Sequence, residues 1–282
     1  MTRCILAALM ILVHASLTSA QPQEGSDTVT LTGTIFDVLS DERIEGCIVV
    51  ASADSIRTDA HGHFEFKLAP DAYMFSVRTW DKNYYGYSTI LNLTEDTQLD
   101  VPMIPRRVDL KFIKSFFPND AVVRWERLPV RVYYNRSEAP ARYIFMLEEA
   151  IADWEFISGL DLFVEVKNRE EAGLDIRYVS SLKYSESEID LHIDSNCLKR
   201  MTISIKTYYP WFIFGTKSYA YKAFCHELGH ALGLSHSEHG FQIMSSDHQT
   251  KWEVTAPLGE VIRVVYTLPV GANLSSYLPD KN

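Results

Sequence analysis

The chain has 282 residues, with 37 acidic against 27 basic side chains and a net charge of −10. That balance excludes a binder of nucleic-acid backbones, which needs clustered basic surface. The length allows one large domain or two ordinary ones.

Arg3 precedes an unbroken apolar run over residues 5–13, and small residues follow at Leu17-Thr18-Ser19-Ala20. The run is too short to span a bilayer, so residues 1–20 are expected to be a cleaved signal peptide. Export follows, to the periplasm or the cell exterior, without stable membrane insertion. Cys47, Cys197 and Cys225 lie beyond the cleavage point. An oxidising compartment permits one disulfide and leaves one thiol over. Cys197 with Cys225 is the expected pair because both fall in the same half, but the other pairings stay open.

Residues 27–104 read as short strands separated by turns. Residues 29–36, 64–68 and 73–78 alternate with the two-residue period of half-buried strands, and 48–51 is a short apolar run. Strands at this spacing, without a helix, predict an antiparallel sandwich. The turn Thr58-Asp59-Ala60-His61-Gly62-His63-Phe64, with a later strand that contains Tyr73, resembles the carboxypeptidase regulatory-like (transthyretin-like) β-sandwich. The resemblance implies an accessory domain without chemistry of its own. His61 and His63 have no third ligand nearby and read as turn residues. Tyr84, Tyr85 and Tyr87 read as packing rings.

Pro102 and Pro105 mark a boundary, and residues 105–121 are expected to be a linker. Residues 122–282 change character. Strands are expected at 130–134, 162–166, 176–179 and 201–205. A helix should start after Pro140 and stop at Gly159, with Tyr143, Leu147, Ala150 and Trp154 on its apolar stripe. Ser218 can cap a second helix that runs to about Leu234. The expected fold class is therefore multi-domain: an all-β sandwich, then an α+β domain with a mixed sheet and two long helices on one side.

The chemistry lies in His226-Glu227-Leu228-Gly229-His230-Ala231-Leu232-Gly233-Leu234-Ser235-His236. Histidines four apart on a helix share one face, so His226 and His230 can reach a single Zn2+. Gly233 can end the helix and turn the chain back. His236 then supplies a third ligand, which leaves the fourth position open. Glu227 falls beside the metal, placed to take a proton from the activated water and return it to a leaving amine. Cys225 is rotated about 100° from His226 and is not expected to ligate. His239 and His248 read as surface residues. His192 assigns no second metal, and scattered carboxylates form no Ca2+ loop.

The run from His226 to Ser237, with Met244 eight residues after His236, resembles the matrixin branch of the metzincin zinc peptidases. The resemblance implies a metzincin-like fold, a Met244 turn supporting the metal, and a zinc endopeptidase acting on protein or peptide substrates. It also implies substrate held extended against an edge strand, for which residues 201–205 are the candidate. The family's latency cysteine motif is absent. Two alternatives stay open: a non-catalytic zinc-containing binding protein, and an amide hydrolase acting on peptidoglycan peptides.

Overall fold

The computed structural model describes residues 28–180, 187–207, 216–237, 239, 242–246 and 253–278. The expected signal peptide and His248 lie outside them.

The first eight strands are β1 (Val29–Asp37), β2 (Ile48–Ala51), β3 (Asp54–Arg57), β4 (His63–Leu68), β5 (Asp71–Arg78), β6 (Gly86–Leu93), β7 (Thr97–Gln98) and β8 (Val101–Met103). β1 alternates buried and half-buried residues along its whole length, as its two-residue period predicts. It pairs antiparallel with β4 and parallel with β7 and β8. A second sheet has the order β6-β5-β2-β3, antiparallel throughout. Leu31, Ile35, Val49, Phe64, Phe75 and Val77 fill the space between them. The N-terminal unit is thus a β-sandwich.

The remaining elements are α1 (Leu110–Lys114), β9 (Arg124–Trp125), β10 (Val130–Tyr134), α2 (Ala141–Ser158), β11 (Phe163–Glu165), β12 (Leu174–Val179), β13 (Ser187–Asp194), β14 (Cys197–Lys206), α3 (Thr216–Ala231), α4 (Ala256–Thr267) and β15 (Tyr277–Leu278). The sheet order is β11-β10-β12-β14-β13, parallel except for β13, and β9 pairs with β14. It is a mixed sheet, as expected. Pro140 opens α2, and Gly159 closes it in the left-handed conformation at φ 70°. Tyr143, Leu147, Ala150 and Trp154 are all buried.

Several expectations need correction. The helices of the second unit include a third long one, α4, which packs on α2. α3 begins at Thr216, so Ser218 lies inside it, and it ends at Ala231. Gly233 explains that stop: its φ is +97°, and a Cβ there would meet the Val123 carbonyl oxygen at 2.0 Å. The strand over 201–205 is interior, because β14 is flanked by β12 and β13, and β13 is the edge. Residues 105–121 are more than a connector. They contain α1 and bury Val108, Leu110, Ile113, Phe116 and Phe117 in the second core. The chain also returns late to the sandwich, where β15 pairs antiparallel with β6.

Cys47, Cys197 and Cys225 are all free and buried. The expected Cys197–Cys225 pair does not form: each thiol is buried among the neighbours of its own element. Cys197 opens β14 opposite Arg124, whereas Cys225 lies in α3 beside Tyr221. Among the described residues no helix is long and apolar enough to cross a membrane.

Candidate metal centre

α3 carries His226 and His230 one turn apart, and the chain reversal at Gly233 brings His236 to meet them. The ligand nitrogens of the three rings all lie within 4.8 Å of one another. Among the described residues this is the one such group of histidine, cysteine or carboxylate side chains. His61, His63 and His192 do not join it. His239 points elsewhere, toward Asp109 at 3.7 Å and the Phe112 ring at 5.6 Å.

Hydrogen bonding fixes which nitrogens face the centre. His226 Nδ1 is 2.7 Å from the Ile243 carbonyl oxygen, and His230 Nδ1 is 2.7 Å from that of Leu234. A carbonyl only accepts, so each Nδ1 carries the ring's proton and each Nε2 presents a lone pair. The two Nε2 atoms are nevertheless 3.1 Å apart, and His236 Nε2 is 3.1 Å from that of His226. Two lone pairs facing at that distance repel unless a cation lies between them. Nitrogens ligating one tetrahedral Zn2+ at 2.0–2.1 Å stand about 3.3 Å apart, so this donor set fits zinc. The carbonyl partners are the outer-shell supports that metal-bound histidines ordinarily use.

Burial, with the neighbouring His226 and His236 acting in the same direction, lowers the pKa of the His230 imidazole to about 4. A neutral ring is the ligand form. His236 is the exposed member of the trio, so the site opens to solvent on its side. Glu227, next to His226 on α3, is 5% exposed.

The floor comes from a tight turn. Met244 is 0% exposed, and a Cβ on Gly229 would meet its Sδ at 2.2 Å. The bare glycine therefore lets the methionine lie directly under the ligand-bearing helix. Gln242 ties this turn to the His236 loop: its Oε1 accepts from Met244 N–H at 2.7 Å, and its Nε2 donates to the Ser237 carbonyl at 2.9 Å. No sequence motif flags that glutamine. From the other side, Trp154 of α2 donates to the Cys225 carbonyl at 2.9 Å, which fixes the approach of the two helices.

A cleft of about 490 Å³ runs beside the histidines. It is lined by Phe116, Phe117 and Val123, by Ile189, Leu191 and Ile193 of β13, and by His230 and His236. Leu191 and Ile193 are 49% and 41% exposed, an apolar stripe on a strand edge.

No known family's model matches the sequence, and no curated protein matches it. Among solved structures, the chain is similar to a DUF3823 family protein of Parabacteroides merdae (16% identity, 28% of this chain, 46% of that one, TM-score 0.21). A DUF3823 family protein of Bacteroides ovatus gives 17% identity over 28% of this chain and 45% of that one, with a TM-score of 0.22. The 5-hydroxyisourate hydrolase of Klebsiella pneumoniae gives 15% identity over 27% and 90%, with a TM-score of 0.23. The chain thus spans less than half the length of the two DUF3823 proteins. None of these neighbours is a metzincin. The expected metzincin membership is corrected accordingly, and the sandwich stands as an architecture with no family assigned. The physical reason is that the resemblance rested on one short stretch. Ligand spacing along a helix and turn fixes local geometry and not ancestry.

Proposed function

We propose that the chain is an exported zinc-dependent endopeptidase, with His226, His230 and His236 as ligands and Glu227 as the general base. The observation that carries this reading is the convergence of histidine Nε2 atoms at 3.1 Å on a helix that also carries the buried Glu227. Bound there, zinc would supply Lewis acidity, polarising a carbonyl and bringing a water's pKa to about 7.

The chain's own residues do the rest. Glu227 accepts the proton of the attacking water at its carboxylate and delivers it to the departing amine nitrogen, so it ends the cycle ionised as it began. His226 and His230 keep their Nδ1 protons on backbone carbonyls, which fixes both rings throughout. The apolar cleft and the edge strand β13 suit an extended polypeptide, held by main-chain hydrogen bonds with an apolar side chain in the groove.

Glu227→Ala tests the assignment. The variant should retain zinc while casein cleavage falls by about 10²–10⁴-fold. Zinc in both proteins with no cleavage by either favours the binding-protein alternative. Cleavage restricted to peptidoglycan peptides favours the amide hydrolase. Well-folded protein that takes up no zinc removes the metal centre altogether.

A further inference from the structure

His226 and His230 stand on helix α3, but His236 sits on the loop that follows. We infer that helix α1, in the segment leading out of the sandwich, is a positioning element of the metal centre that acts on His236 through Ser115. The inference rests on reading the three histidines as a metal site.

Ser237 follows His236 directly and is 3% exposed. Its N–H donates to the Met244 carbonyl at 3.0 Å, and its hydroxyl oxygen accepts from His239 N–H at 3.1 Å. That hydroxyl lies 2.5 Å from the hydroxyl of Ser115, which stands at the end of α1. The direction of the contact follows from counting protons. Ser115 Oγ is 2.6 Å from the Phe112 carbonyl, which only accepts, so the one hydroxyl proton of Ser115 goes there. Ser237 must then donate its own proton to Ser115. On the other side of His236, Ser235 N–H donates to the Phe116 carbonyl at 3.2 Å. Both neighbours of the third ligand are thus tied to the two residues that close α1, Ser115 and Phe116.

α1 is itself held in place. Asp109 caps it by accepting from Phe112 N–H at 3.0 Å, and Leu110 and Ile113 are buried. Tyr85 of the sandwich donates its hydroxyl to the Val108 carbonyl at 3.1 Å. A line of support therefore runs from the sandwich through α1 and Ser237 to His236. Supports of this outer kind typically govern metal affinity by 10–100-fold.

The test uses the full chain with Ser115→Ala, Ser115→Thr, Ser237→Ala and the Ser115→Ala/Ser237→Ala double variant. Zinc affinity is measured by chelator competition, and ligand geometry by the visible absorption of the cobalt-substituted protein. Ser115→Ala should weaken zinc about 10–100-fold and alter the cobalt spectrum. Ser115→Thr keeps the hydroxyl and should restore both. Ser237→Ala should lose as much alone as the double variant does, because either change breaks the same bond. Metal-free midpoints should stay within about 2 °C of the parent, a margin that separates positioning from general destabilisation. Zinc affinity of Ser115→Ala within about two-fold of the parent, with an unchanged spectrum, overturns the inference. Losses that simply add in the double variant, or that track the metal-free midpoints, overturn it as well. Should Ser115→Ala not fold, Ser115→Cys, which keeps the side chain's size but weakens the bond to Ser237, carries the comparison. A parent protein that takes up neither zinc nor cobalt removes the metal reading, and this inference with it.

Discussion

His230 is the residue whose charge the fold controls most firmly. Burial puts its folded pKa near 4, below the value of 6.5 expected of an exposed imidazole. Between those values the unfolded chain binds more protons than the native one, so stability rises with pH there. Its contribution is complete above pH 6.5 and is lost as pH falls toward 4. At pH 5 this ring alone should cost the metal-free protein about 2 kcal/mol of unfolding free energy. Urea unfolding of chelator-treated protein at pH 7.5 and pH 5 measures the loss, and His230→Asn should show a pH dependence smaller by that amount. Equal pH dependence in the two proteins would show that the imidazole is not held neutral by its surroundings. Burial also keeps two thiols inert, one in each core. The Cys225 thiol is pushed up to about 12 and that of Cys47 to about 11, both chiefly by desolvation.

At the scale of elements, β13 is where the sequence is least readable, and it lines the cleft that the proposed function assigns to substrate. Ile189, Leu191 and Ile193 alternate, yet none of the five residues after Ile189 is buried, so the pattern carries no matching core signal. The hairpin turn is unusual too. Ser195 and Asn196 both take positive φ, at 49° and 64°, where Asn-Gly or Gly-Gly ordinarily marks a two-residue turn. Without glycine the turn carries no sequence signal, which leaves β13 unmarked and draws the expected edge one strand inward, to residues 201–205. α4 escaped for another reason: its Val261, Ile262, Val264 and Val265 favour strand by propensity, and packing against α2 overrides that. α1 is too short at five residues to show a period. The ligand cluster was legible because His226, Gly233 and His236 encode helix, stop and return within eleven residues. Leu191→Lys tests the exposed stripe of β13. It should raise the KM for unfolded casein about tenfold, roughly 1.4 kcal/mol of lost binding, with zinc content unchanged. Unaltered kinetics would place the substrate elsewhere.

At the scale of the whole molecule, the two halves are joined at both ends of the second one, which bears on how the chain unfolds. The segment around α1 buries its apolar side chains in the larger core, and β15 completes a sheet of the smaller. Tyr277 is the key of this return: its ring packs on Tyr87 with centroids 5.3 Å apart, and its hydroxyl donates to the Pro102 carbonyl at 2.8 Å. Nearby, Leu274 N–H donates to the Asp120 carbonyl and Val122 N–H to that of Ala272, so the ends of the second unit are stitched to each other before the chain reaches the sandwich. A sandwich whose sheet takes a strand from the far end of the chain loses that pairing once the larger unit melts. Calorimetry of the metal-free protein should therefore show one cooperative transition, with equal calorimetric and van't Hoff enthalpies. Tyr277→Ala should cost about 3–5 kcal/mol, the range for removing a buried aromatic ring, and should split the endotherm as the sandwich begins to melt first. Two transitions in the unaltered protein would mean that the halves are only tethered. Support reaching His236 from the sandwich would then be lost before the metal-bearing core unfolds, and zinc release would precede the second transition.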